Sequence, residues 1–508
     1  MSSKVILDAL LPRADFLVEG DSSNYGKNIT ELSAQNIGKN GGFLLEFLRK
    51  PDFQRETNEW DSTQIISLVE SFLDGELIPS IILWKNSANF IFVIDGAHRL
   101  SALLSWLYDD YGDGEISLKY FGGDISEEQK KIAADTRKRI ESKIGSYDDF
   151  MQKSSHPNAT GEQKSRKLNL LTSALAVQWI NGNAEKAEVS FEKINQQSSP
   201  LSQIERVLIK ERKNTYGIVS RAIYWGGTGH KYWRDFESSI QADIENKSNK
   251  INEMLFKPTL KSRLDSLNLP IGGTNLGSKD QQLILSLVKI IYQDDDNLSK
   301  QQNVVNCLNK TLKVIRQINS EHASSLGFHS VVYVYDESGL FRHGYLLGLI
   351  DFFIKIKDLN HFTKVRGKFE TFLFERKNYL QQIVKVKKSS YDSQGEAISD
   401  FYCFLLNNIE LSYDDLEKAI ESKFEFIDVR KRSISYGSTP HGRFQMHHKN
   451  NIFIRERMAN ELKCPICHGF MGGKFNSTDH IIRKEDGGTN DVFNGQNTHL
   501  FCNTTFKN

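Results

Sequence analysis

Apolar positions between residues 61 and 75 (DSTQIISLVESFLDG) fall at helical spacing, with Ile65, Leu68, Val69 and Phe72 on one stripe between a capping Asp61 and a terminating Gly75. The pattern predicts an amphipathic helix. Beyond Pro79 the runs 80–84 (SIILW) and 90–94 (FIFVI) are short, apolar and separated by the turn-like KNSAN, which predicts two adjacent strands. Asp95-Gly96 comes next, and residues 97–108 (AHRLSALLSWLY) return to helical spacing. The run DGAHR is therefore expected on a tight turn between a strand and a helix. From about residue 127 the pattern is mostly helical, with long stretches over 281–292, 302–318 and 345–359, and predicts an α-helical middle domain.

A chain of 508 residues is too long for one ordinary core, so several domains are expected. With 39% hydrophobic and 25% charged residues, the composition argues against global disorder or a fibrous repeat. The most apolar stretch, 345–356, is interrupted by Asp351 and is far shorter than the roughly 20 residues of a spanning helix, so no membrane segment is expected. The first residues, MSSKVILDALLPRAD, lack a basic region followed by a sustained apolar one, and a cytoplasmic location is the default expectation. A formal charge of +1 gives no global reason to bind nucleic acid; such a partner needs a local basic surface. One candidate is the stretch 430–457, where Gly437, Pro440 and Gly442 break the periodicity and seven Lys or Arg accompany the single acid Glu456. It reads as a basic hinge or, alternatively, as a solvated loop.

The cysteines change the picture. Cys307 and Cys403 stand alone in apolar helical contexts, where a small buried side chain is the ordinary reading. Cys464, Cys467 and Cys502 crowd the last 45 positions. Cys464-Pro-Ile-Cys467 presents two thiolates on a knuckle turn, and His499-Leu-Phe-Cys502 offers a second pair at the same spacing. Together they make a Cys₃His tetrahedral set suited to structural Zn²⁺. Between the pairs lie Asp479-His480, the turn-forming EDGGTND and Asn494, and Asn503 follows the last cysteine. In-line attack on a phosphodiester needs a base near neutral pKa and a metal to neutralise the leaving oxygen, which this set can supply. A hydrogen-bonded Asp-His core pair is the bland reading. The order Asp-His, Asn, Asn resembles the HNH endonuclease family, whose ββα fold holds a hydrolytic metal between a hairpin and a helix. The resemblance implies His480 as general base, Asp479 and Asn503 as ligands of a catalytic Mg²⁺ or Mn²⁺, and Asn494 as the residue that orders the hairpin loop and orients His480.

A second set of motifs lies upstream. Phe53-Gln54-Arg55, Trp60, Ile78-Pro79, the strand pair, Asp95-Gly96-Ala97-His98-Arg99, Phe191 to Asn195, Pro200-Leu201-Ser202 and Glu205 recur in an order that resembles the ParB-like N-terminal domain of GmrSD-type restriction enzymes. The resemblance spans roughly residues 40 to 230, with Ala97 and His98 departing toward the ParB form. It implies nucleotide binding or hydrolysis and the gating of an attached nuclease. Physically, an Asp-Gly turn entering a helix exposes backbone N–H groups, and Arg99 can add a phosphate-directed fork. Gln54, Arg55, Asp95, Gly96, His98 and Arg99 are thus the candidate nucleotide- or phosphate-binding residues. Alternatively, Asp95 and Arg99 simply tie the turn together. Residues 20–27 (GDSSNYGK) lack the spacing of a Walker loop and are followed by Asn28, so they do not support an ordinary ATPase.

The expected architecture is an α+β multidomain protein. It comprises a ParB-like α/β N-terminal domain (1–235), an α-helical domain (236–429), a basic hinge (430–457) and a small zinc-supported ββα-metal module (458–508). The expected function is metal-dependent HNH cleavage of DNA in phage defence or modification-dependent restriction, with NTPase activity in the N-terminal domain left open. The alternatives are a nucleotide-switched DNA-binding factor with an inactive knuckle, and an HNH nuclease acting on RNA. DNA is the expected partner, a nucleoside triphosphate and an oligomeric assembly stay open, and no membrane partner is expected.

Overall fold

The structure is a computed structural model that describes residues 4–506 except 15–28, 40–41, 53, 55–56, 59, 122, 124, 126, 199–202, 229–230, 259–265, 274–277, 389, 432–442 and 473–475. Phe53, Arg55, the 20–27 run, Pro200, Leu201 and Ser202, and Gly437, Pro440 and Gly442 of the expected hinge lie outside the described residues. So do the side chains of Glu192, Asn195 and Glu205. The chain forms two compact units, Met1–Lys210 with Thr228–His230, and Glu211–Gly227 with Lys231–Asn508.

The first unit is built on a six-stranded mixed sheet. Its strands are β1 (Arg13–Ala14), β2 (Glu31–Ser33), β3 (Leu48–Pro51), β4 (Ile81–Lys85), β5 (Ile91–Asp95) and β6 (Ala174–Trp179), in spatial order β1-β3-β5-β4-β6-β2. β4 and β5 pair antiparallel, as their short apolar runs suggest, while β3 joins β5 and β6 joins β4 in parallel. β5 is buried along four of its five residues because it sits inside the sheet with both faces covered. The helix Ser62–Leu73 opens on a capping box, with Asp61 accepting from the N–H groups of Thr63 and Gln64 and the Gln64 side chain accepting from the Asp61 N–H. It buries Ile65, Val69, Phe72 and Leu73 against the same core that receives Leu100, Leu103, Leu104 and Leu107 of helix Ala97–Tyr108. β6 was not apparent from sequence. Its six residues lie between helices Gly161–Thr172 and Ala184–Ser198, and the alternation of Leu175, Val177 and Trp179 is lost in the surrounding helical periodicity.

The second unit is mostly helical, and its core gathers Trp233, Phe328, Tyr333, Phe352, Phe369 and Tyr402. Helix Thr215–Tyr224 contributes Ile218, Val219, Ala222 and Ile223 to this core, and the second compact unit opens at Glu211. The stretch 345–359 is not one helix. His343–Lys355 ends first, and Asp358 caps Leu359–Glu375 by accepting from the N–H groups of Asn360 and His361. Part of the expected hinge is also ordered: Met446–Ala459 is a helix that buries Ile454 and Met458, and the side-chain amides of Asn450 and Asn451 donate to the carbonyls of Ser338 and Glu337. A hairpin of β7 (Asn476–His480) and β8 (Gly495–His499) closes the unit, followed by a wide helical turn, Cys502–Phe506. Among the described residues no helix is long and apolar enough to cross a membrane.

Candidate nuclease and metal centre

β7 carries Asp479 and His480 to the mouth of the hairpin, where they pair with Gln496 and Gly495 of β8. Asn494 then ties the intervening loop. Its Oδ1 accepts from the Ile482 N–H at 2.8 Å, its Nδ2 donates to the carbonyls of Thr489 at 2.7 Å and Ile482 at 3.2 Å, and its own carbonyl accepts from the Ile481 N–H at 2.8 Å. These bonds fix the backbone immediately after His480. Strand alternation turns Asp479 inward, where it is 7% exposed and accepts from Gln496 Nε2 at 2.9 Å, and leaves His480 half-buried on the opposite side. Asn503, on the turn after the last cysteine, donates through Nδ2 to Ser477 Oγ at 2.7 Å and to the Thr478 carbonyl at 3.4 Å. Ser477 and Asp479 share a strand face, so the bond to Ser477 holds Asn503 at the face that carries the carboxylate.

The ligand atoms of Cys464, Cys467, His499 and Cys502 all lie within 4.8 Å of one another, and all four residues are buried. None of the three cysteines is in a disulfide. A tetrahedral shell at the Zn–S distance of about 2.3 Å places its ligands within about 4 Å of each other, so this donor set fits zinc. The thiols alone share the space poorly. Hydrogen bonds from Cys467 and Cys502 hold the Cys464 thiol far below the usual range, while the same contact with Cys464 pushes Cys467 up to about 11 and Cys502 higher still. A divalent cation would relieve that conflict and take all three as thiolates. His499 is suited to be the fourth ligand. Its Nε2 donates to the Phe470 carbonyl at 3.1 Å, which leaves the Nδ1 lone pair facing Cys467 Sγ at 3.3 Å with Arg366 Nη1 at 3.4 Å, and burial together with the Arg366 charge favours the neutral ring.

The knuckle is anchored to the helical core through a pair that no motif announced. Arg366 and Glu370, one turn apart on helix Leu359–Glu375, are 1% and 0% exposed and bond at 2.7 Å. Arg366 also donates to the carbonyls of Leu326 and Gly327, and Glu370 accepts from the Phe470 N–H at 2.6 Å and the Tyr333 hydroxyl at 3.0 Å. The Gly367 N–H adds a bond to the Cys467 carbonyl at 3.1 Å. Gly327 has φ +60° and lies so close to His499 that a Cβ there would meet its Cδ2 at 2.9 Å, so this position requires glycine.

In the first unit, Gly96 (φ +93°) turns the chain from β5 into helix Ala97–Tyr108, in the left-handed conformation that glycine permits. Arg99 bonds Asp95 at 2.8 Å and the Ser80 carbonyl at 3.1 Å, the Gln54 amide reaches toward the Ile94 carbonyl at 3.5 Å, and His98 stacks on Trp60 with ring centres 5.9 Å apart. The structure thus brings Gln54, Asp95, Gly96, His98 and Arg99 to one turn. Buried Arg99 Nε and Gln54 Oε1 have no hydrogen-bond partner there among the described residues. The sequence reading missed what holds Gln54. Asp8 is fully buried, and although burial favours its neutral form, Arg13 and Lys50 hold its carboxyl far below the usual range. Lys50 Nζ also donates to Thr57 Oγ1 at 2.7 Å, and Arg13 reaches on to the carbonyls of Asp52 and Gln54. The available signal was Asp8, a lone acid among the apolar residues of VILDALL; Lys50, between Arg49 and Pro51-Asp52, gave none.

Residues 31–212 match the family model of the GmrSD restriction endonuclease N-terminal domain. The match ends within two residues of the first compact unit's Lys210 boundary. The match covers 182 of the chain's 508 residues, and the domain it describes is the N-terminal one of a restriction endonuclease. No curated protein and no solved structure is matched by the chain.

Proposed function

We propose that this protein is a metal-dependent DNA endonuclease of the HNH type, acting in phage defence under the control of its GmrSD-type domain. The observation that carries the reading is Asn494: it braces the hairpin loop directly behind Asp479-His480, next to a four-ligand Cys₃His cluster. His480 takes the proton from the attacking water, and the bonds of Asn494 hold its backbone in place for that task. Asp479 and Asn503 would hold the divalent ion, which when bound supplies positive charge to the scissile phosphate. Gln496 orients the Asp479 carboxylate. The Cys₃His cluster, loaded with zinc, holds the two ends of the module together and does not touch the reacting phosphate.

For the N-terminal unit, the turn at Gly96 is proposed to bind a phosphate group of a nucleotide or of DNA. Arg99 is already oriented by Asp95, and its Nε–H is an unmet donor that a phosphate oxygen could take; Gln54 Oε1, an acceptor, suits only an N–H or O–H of the same ligand. The test is to incubate the purified chain with modified and unmodified phage DNA, and with matched RNA, in Mg²⁺ or Mn²⁺ with and without nucleoside triphosphates. Metal-dependent cutting of DNA supports the reading. Cutting of RNA alone, or DNA binding without cutting under any of these conditions, contradicts it.

A further inference from the structure

On the second unit, helices Ser238–Phe256 and Lys300–Ile318 pack side by side and enclose an open groove of about 540 Å³. Lys247 and Lys250 line it from one helix and Lys313 and Arg316 from the other, with His322 at its end. Residues three apart share a helix face, so the two helices present these cations to the same groove. Asp243 is the acidic residue of the lining, and it is engaged with Lys247 at 2.5 Å. Lys250, Lys313 and Arg316 have no ion-pair partner among the described residues. In contrast, Arg430 and Lys431, in the stretch expected to be the basic surface, both close onto Asp428 at 3.0 and 3.2 Å.

One loop links the groove to the turn that carries Asn503. The loop after Lys300–Ile318 brings His322 and Ser324 to the groove, and its alternate carbonyls hold the C-terminal segment: Ala323 accepts from Thr504 Oγ1 at 2.9 Å and Ser325 from the Phe501 N–H at 3.0 Å. Asn503 lies between those two anchors. We propose that this groove, through Lys250, Lys313 and Arg316, carries the phosphate backbone of duplex DNA toward the hairpin of Asp479 and His480. The inference rests on the nuclease reading and adds the surface that positions the substrate. Contacts of this kind are independent of base sequence and set register and affinity.

The test uses the full chain and a labelled DNA duplex, with binding followed by fluorescence anisotropy across a salt titration and without added Mg²⁺. Each phosphate contact contributes about 0.9 to the slope of log affinity against log salt, so Lys250→Gln, Lys313→Gln and Arg316→Gln together should reduce the slope by up to about 2.7. Thermal melting and zinc content should stay as in the wild type, because none of the three side chains is in the core. Should the triple variant misfold, Lys313→Glu alone gives the same reading. An unchanged slope in a folded variant overturns the groove, and if the wild type still cuts DNA the nuclease reading survives that loss. Loss of inorganic triphosphate binding with the duplex slope unchanged also overturns it, by making the groove a small-anion site. A groove-dependent slope in a protein that never cuts upholds the surface and removes the nuclease reading.

Discussion

Replacing Glu370 with alanine should loosen the zinc knuckle from a distance. Glu370 and Arg366 are completely enclosed, so the substitution leaves a buried guanidinium without its counter-charge and removes the acceptor of the Phe470 N–H. Breaking a buried pair by removing one partner costs about 3–5 kcal/mol. Phe470 and Cys467 lie on the knuckle that faces this pair, so the expense falls on the bonds that seat it: Glu370 to the Phe470 N–H, and the Phe470 carbonyl to His499. At about 1.4 kcal/mol per tenfold change, the equilibrium for opening the knuckle should shift by roughly 10²–10⁴-fold. Zinc transfer to a chromophoric chelator and amide exchange over residues 464–470 report that opening directly. The companion double variant, Arg366→Met with Glu370→Leu, leaves no lone charge and should cost less than the two single changes together. Wild-type zinc release from Glu370→Ala, or additive losses in the double variant, would refute the anchoring role.

Cys464→Ser should lose the bound zinc and destabilise the hairpin, because binding energy at a structural site is also folding energy; unchanged stoichiometry by elemental analysis would contradict the ligand set. Lys377 is buried against the Val331 and Val332 carbonyls, and desolvation, partly offset by Asp336 and Glu337, pushes it from 10.5 down to about 7. The unfolded chain therefore binds more protons between about pH 7 and 10.5, so stability of the helical unit should rise with pH across that window, by at most about 1.4 kcal/mol per pH unit. Lys377→Met should flatten the rise, and an identical slope in chemical denaturation would count against the assignment. Arg99→Ala and Asp95→Ala should each impair nucleotide binding by the GmrSD-type domain without changing zinc content. If neither the wild type nor the variants bind nucleotide, the turn is a scaffold or a DNA reader.

What could be read from the sequence was what the chain encodes locally. Asp61 and Gln64 announce the helix they cap, the two apolar runs before DGAHR become β4 and β5, and Asp479, His480, Asn494 and Asn503 lie within one short hairpin and its following turn. The Cys₃His set closes across about thirty residues and was visible for the same reason. Arg366 and Glu370 were not visible. On paper they are an ordinary pair of charges one helical turn apart, and only packing against a knuckle some hundred residues later makes them buried. Asp8 and Lys50 are a second case, since strands distant in sequence must pair before either charge is enclosed. In the stretch 430–457, counting charges does not register that Asp428 pairs with Arg430 and Lys431. The groove cations are spread over two helices and form no run.

The most direct test of the central claim is DNA cleavage by the full chain and by His480→Ala, side by side, in Mg²⁺ and in Mn²⁺. His480 contributes no ligand to the Cys₃His cluster, so the variant should keep its zinc content and melting behaviour while cleavage falls to the limit of detection. A folded, zinc-loaded His480→Ala protein that cuts DNA at the wild-type rate would show that the hairpin is not the seat of catalysis.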